Sequence, residues 1–214
     1  MNLIMDRWEL IGYLFRFLTD TIPINQHVGE DPAETYARYM AHAENIADVA
    51  LDPTEKPLFG GENGRIKTAL VIASIETFES WIKKGPIHGD CHEHPDRRCR
   101  KSTDVPHSFC HMQIQPGPTG IILDSETYRF AKPGEKGYTG ADLDQDAKLC
   151  NRIGLHMVRE SFQARGDLSI YTGEEKGGIK AFHRLYRAQS WYKSNPPIPK
   201  PEPSKCRGKK GEVE

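Results

Sequence analysis

Between residues 64 and 84, apolar side chains fall on nearly every side of the chain: Ile66, Ala69, Leu70, Val71, Ile72, Ala73, Ile75, Phe78, Trp81 and Ile82. At about 100° per residue this leaves no broad polar stripe, and a helix that is apolar all round belongs in the middle of a domain. The rest of the chain therefore has to wrap one element, and the flanking segments are patterned to do so. Ile4, Trp8, Ile11, Phe15 and Leu18 recur at spacings of three and four, which predicts an amphipathic helix. Asp31 can cap a second helix, Pro32 suits its first turn, and Glu34 stands where a capping box places a carboxylate. This helix is expected to reach about Val49, ahead of the breakers Asp52-Pro53 and Gly60-Gly61.

Beyond the central run the pattern changes. Residues 85–107 are rich in His, Pro, Asp and Arg, and a loop of that length is usually functional or pinned by cross-links. Residues 109–123, with Pro116-Gly117-Pro118, suggest short extended pieces and turns. A further helix is expected over about 139–165, with Leu143, Ala147, Cys150, Gly154, Met157 and Val158 inward and Gly166 placed to end it. A last helix is expected over 178–192. Pro196, Pro197, Pro199, Pro201 and Pro203 then describe a loose tail. The expected class is mainly α, an α+β arrangement with short extended segments. Its expected divisions are an N-terminal helical region over 1–60, a core domain over 61–193 and a tail over 194–214.

At 214 residues the chain can bury a real core. A formal charge of -1 argues against a nucleic-acid binder that relies on a strongly basic surface. No stretch is long and apolar enough to span a membrane. Asp6, Arg7, Glu9 and Arg16 interrupt the N-terminal apolar residues, so the pattern of a secretory signal peptide is not expected there.

Two carboxylates lie near the end of the central run. Glu79 shares a stripe with Ile72, Ile75 and Ile82, whereas Glu76 lies about 60° away, towards Lys83. Burial beside isoleucines would raise the pKa of Glu79, as a general acid requires. A surface pair with Lys83, four residues on, is the ordinary alternative.

The order of further pieces adds to this. Glu79-Ser80 is followed by Ser108 and by Cys110-His111-Met112-Gln113-Ile114. Then come Ala141-Asp142-Leu143, Asn151-Arg152-Ile153-Gly154-Leu155, and Ser169-Ile170-Tyr171-Thr172-Gly173. Over residues 64–192 this resembles the lysozyme-like superfamily of soluble lytic transglycosylases and goose-type lysozymes. That family has a Glu-Ser pair at the end of a buried helix, a Gly-Leu-Met-Gln-Ile type segment, an Asn-x-x-x-Gly helix and Ala-Tyr-Asn-Ala-Gly. Here Cys110-His111 replaces Gly-Leu and Thr172 replaces the usual Asn.

The resemblance implies cleavage of the bond between N-acetylmuramic acid and N-acetylglucosamine in peptidoglycan glycan strands, with no cofactor and no metal. It implies Glu79 as the acid and then the base, with Ser80, Ser108, Met112, Gln113, Tyr171 and Thr172 in contact with substrate. Attack by the sugar's own 6-hydroxyl gives a 1,6-anhydro product, whereas attack by water makes the enzyme a lysozyme. A second carboxylate at a definite separation would be needed for a two-acid hydrolysis, and nothing in the sequence singles out one among Glu93, Asp96, Asp104 and Asp124. The site of action would be extracytoplasmic, reached from a phage particle, by lysis or beside a secretion apparatus.

Another reading is an inactive wall-binding or structural module with a stabilised loop. Its loop would be held through Cys91, His92, His94, Cys99, His107, Cys110 and His111. Disulfides among Cys91, Cys99, Cys110 and Cys150, a zinc site and unlinked side chains all stay open for these residues, although no Cys-x-x-Cys pair supports zinc.

Overall fold

The structure, a computed structural model, describes residues 5–84 and 108–198. It is mainly helical: α1 (Arg7–Thr21), α2 (Pro32–Leu51), α3 (Gly64–Ser80), α4 (Gly140–Gln145), α5 (Ala147–Arg165) and α6 (Ile179–Ser194). A two-stranded antiparallel sheet joins β1 (Ile121–Leu123) to β2 (Tyr128–Phe130), with Ile122 opposite Arg129. Helix α3 is the hub and packs against α1, α2, α5 and α6. Ile66, Leu70, Ile72 and Ile75 are all buried, and so are Thr68, Ser74 and Thr77 on its remaining sides. Hydroxyls survive there because each bonds within or across the helix: Thr68 donates to Gly64 O, Thr77 to Ser74 O, and Ser74 to Arg184 O on α6.

The local signals mostly act as expected. Asp6 and Glu9 form a capping box on α1, and Asp31 accepts from Ala33 N at the start of α2. Glu34 takes no part in that cap; it reaches out to Lys84 instead. On α1 the core stripe is Leu10, Ile11, Leu14, Phe17 and Leu18, while Trp8 is 70% exposed and Phe15 only partly covered, so the expected stripe is rotated. Ile4 and the Pro-rich tail from 199 onward lie outside the described residues.

Helix α3 ends at Ser80, four residues before the expected end, because Trp81 and Ile82 turn left-handed at φ 55° and 49°. The helix expected over 139–165 is two helices. Asp146 is extended and caps the second by accepting from Lys148 N and Leu149 N, which leaves Ala147 exposed and Met157 only half-buried. Gly166 closes α5 at φ 77°. Cys110 and Cys150 form a disulfide that ties the segment before the sheet to α5. Cys91, Cys99 and Cys206 fall outside the described residues.

Candidate functional site

The left-handed turn after α3 leaves Glu79 in the helix's last turn, and several groups hold that turn. Ser80 Oγ donates to Glu76 O at 2.8 Å and accepts from Ile82 N–H at 3.1 Å. Arg38 Nε donates to Ile82 O at 2.8 Å. Ser80 is thus an internal brace, 4% exposed, rather than a side chain facing a groove.

The burial of the two carboxylates is the reverse of the expectation. Glu76 is 2% exposed, and its Oε2 lies 2.8 Å from His42 Nδ1 on α2. Glu79 keeps 21% of its side chain exposed. Its partner is not Lys83 but Arg184 on α6, whose Nε and Nη2 donate to Glu79 Oε1 at 3.0 and 2.5 Å. Both guanidinium donors fall on one oxygen, so Oε2 is the atom left for an incoming ligand. The isoleucines of the expected stripe face the core, but the α6 guanidinium draws Glu79 to the edge.

Tyr171, far along the chain, lies within the field of the Glu79 charge. Its hydroxyl donates to Met112 O. Its pKa is pushed well above the ordinary tyrosine value, first by burial and then by the Glu79 charge. The phenol is therefore a fixed proton donor that is already committed. Met112 itself is fully buried, and a Cβ on Gly154 would meet Met112 Cε at 2.4 Å. Its side chain belongs to the core, and its carbonyl is what positions Tyr171.

The other expected contacts are turn-builders. Gln113 sits at φ 52°, and its Nε2 donates to Cys110 O at 3.0 Å. Ser108 accepts from Gln115 Nε2 at 3.2 Å and is 7% exposed. Thr172 Oγ1 bonds Glu174 Oε2 at 2.8 Å. Asp124 lies exposed at the tip of the β1–β2 turn. Glu93, Asp96, Asp104, His92, His94 and His107 lie outside the described residues. Among the described residues no group of three or more His, Cys, Asp or Glu is placed to hold a metal ion.

A buried polar chain lies beside the site. His111 Nδ1 is 2.9 Å from Ser80 Oγ, and the His111 and His42 rings meet edge to face at 4.1 Å. Burial, then the neighbouring His42 and Arg38, hold the His111 pKa down at about 2, so the ring is neutral. His42, Glu76, His111 and the disulfide border a cavity of about 590 Å³. A second cavity of about 480 Å³ lies between α3, α5 and α6, lined by Phe59, Leu70, Phe162 and Leu185. Glu79 lines neither of these two.

Arg184 and His42 are the residues that sequence reasoning missed. Each had a signal: a basic side chain on the inner stripe of an amphipathic helix, between Ala181 and Ala188 in one case and between Tyr39 and Ile46 in the other. A buried guanidinium or imidazole in such a place needs a polar partner opposite it. Compared with protein-family models, with curated proteins and with solved structures, the chain matches none.

Proposed function

We propose that the protein is a peptidoglycan-cleaving glycosidase of lysozyme-like type, with Glu79 as its general acid and base. The observation that carries this reading is the placing of Glu79 in the last turn of a buried helix, held by Arg184 and close enough for its charge to act on the Tyr171 phenol. In the acid step the proton leaves Glu79 Oε2 for the glycosidic oxygen while Arg184 keeps hold of Oε1. The ionised carboxylate, matched by Arg184, then takes a proton from the muramyl 6-hydroxyl, which closes a 1,6-anhydro ring. Glu76, the carboxylate one helical turn before Glu79, is buried and held by His42, so it is not offered as a second acid for water, which favours this internal attack over hydrolysis. The Cys110–Cys150 bond fits an oxidising, extracytoplasmic place of action.

The test is mass spectrometry of products released from purified peptidoglycan by the protein, by Glu79→Gln and by Glu76→Gln. Muropeptides one water lighter than the hydrolytic ones, lost by at least 100-fold in Glu79→Gln and retained in Glu76→Gln, are expected. Ordinary reducing ends would make the protein a muramidase. No product on walls of several types would sink the enzyme and leave a wall-binding module.

A further inference from the structure

We infer that Arg187, laid over Phe78 beside Glu79, anchors a carboxylate carried by the muramyl residue of the substrate; the inference rests on the glycosidase reading above. Phe78 precedes Glu79 in α3, so its ring and the carboxylate share the end of that helix. Two guanidinium groups of α6 lie against this ring, Arg184 at 5.1 Å and Arg187 at 4.0 Å from its centroid. Three residues apart, they share one flank of the helix. Arg184 is occupied, giving two hydrogen bonds to Glu79 and a third to Lys180 O.

Arg187 is not. It is half-buried, and among the described residues it makes no hydrogen bond and no ion pair. Burial alone lowers its pKa, with no carboxylate near enough to oppose that. A guanidinium already stripped of part of its water and fixed flat on an aromatic ring presents its fork of donors at little further cost in ordering. Its natural complement is a carboxylate, which it can bind through two parallel bonds. An oligomer of N-acetylglucosamine has no such group. A muramyl residue has one in either of two forms, a free lactyl carboxylate where the peptide has been removed, or carboxylates on the attached stem peptide. Exposed Lys180 stands on the same flank of α6 and adds to the positive field without competing for the ring.

The test uses ligands that lack the muramic acid–glucosamine bond and so are not consumed: the GlcNAc–MurNAc disaccharide, the same disaccharide bearing its stem peptide, and the GlcNAc dimer. Each is titrated by NMR into the full chain and into its Arg187→Ala and Arg187→Lys variants. Arg187→Ala is expected to weaken a carboxylate ligand roughly tenfold, the size of one charge-assisted contact. It should leave the GlcNAc dimer unchanged, and Lys should recover part of the loss. A larger loss on the peptide-free disaccharide assigns the lactyl group, and a larger loss on the peptide-bearing one assigns the stem. Equal losses on all three ligands, no loss on any, or no binding by the parent protein overturns the inference. The cleavage assay is judged apart. Selective loss without any cleavage retires the glycosidase and keeps the anion site, whereas Glu79-dependent cleavage without selectivity does the opposite.

Discussion

The Glu79–Arg184 pair sets the first expectations at the scale of single residues. Arg184 is nearly buried, so removing either partner leaves the other poorly matched. Arg184→Ala should cost about 2 kcal/mol, below the range for fully buried pairs because Glu79 keeps some solvent contact. Arg184→Lys should restore part of that stability, measured as the urea midpoint. It should restore little activity, since an ammonium cannot place two donors on one oxygen in a fixed plane. If Lys restored both alike, Arg184 would be packing and charge and nothing more. His111 gives a pH expectation whose sign is fixed. Its folded pKa of about 2 lies below the ordinary value of 6.5, so the unfolded chain binds a proton across that window and the folded one does not. Stability is then fully present above pH 6.5 and falls as pH drops towards 2. His27, also lowered chiefly by burial, contributes in the upper part of the same window. His111→Gln should therefore flatten, without abolishing, the decline in melting temperature between pH 7 and 5. An unchanged slope would mean that the ring is solvated and titrates normally.

At the scale of elements, two helical glycines are packed directly against side chains of the segment before the sheet. A Cβ on Gly140, the first residue of α4, would lie 2.2 Å from the Phe109 ring, so the whole ring would have to shift. At Gly154 the obstacle is the far end of the unbranched Met112 side chain. Gly140→Ala should therefore lower the melting temperature, whereas Gly154→Ala should be nearly neutral, its clash offset by a gain in helix propensity of about 1 kcal/mol. Gly154→Val, which Met112 cannot clear, should cost about 1–3 kcal/mol and should loosen the Tyr171 anchor on Met112 O. Combining it with Met112→Ala should recover part of the stability but not the activity. Much of this level was legible in the sequence. The all-round apolar run announced α3, and Asp31-Pro32 and Gly166 marked helix ends through their own side chains or lack of one. What was not legible came from partners distant in the chain. The early end of α3 depends on Arg38 and Ser80 holding a strained turn, and the break at Asp146 looks like a continuous amphipathic pattern until the cap is seen. Glu79 and Glu76 exchanged places because Arg184 and His42 decide which carboxylate lies deeper, and helical angles carry no information about either.

For the whole molecule the question is how the parts that follow α3 are kept on it. Two devices do this. Glu55, nearly buried, accepts from His156 at 2.9 Å and faces Arg159 and Arg152, while Arg159 donates to the carbonyls of Lys56 and Glu126. Burial by itself would raise the Glu55 pKa, but His156 and Arg159 more than offset it and leave it below the usual value. This staple fastens the loop after α2 and the β1–β2 turn onto α5, and protonation of Glu55 in acid weakens it. The second device is the Cys110–Cys150 bond, spanning 40 residues that include the sheet and α4. A loop of that length loses about 4 kcal/mol worth of unfolded-state entropy when closed. The bond also lies between Cys110, whose carbonyl holds Gln113, and α5, whose Gly154 receives Met112. A reductant should therefore act in two ways that can be separated. The Cys110→Ala/Cys150→Ala variant should unfold at distinctly lower urea concentration than the parent at any pH. Well below its melting point, however, it should keep the far-ultraviolet helical signal, because α1, α2, α3 and α6 pack without the bond. The proposed activity on peptidoglycan should fall further than the unfolded fraction accounts for, as the Met112 carbonyl that anchors Tyr171 is no longer held in place. If activity instead tracked the folded fraction point by point, the bond would serve stability alone, and the site would be held by α3 and α6.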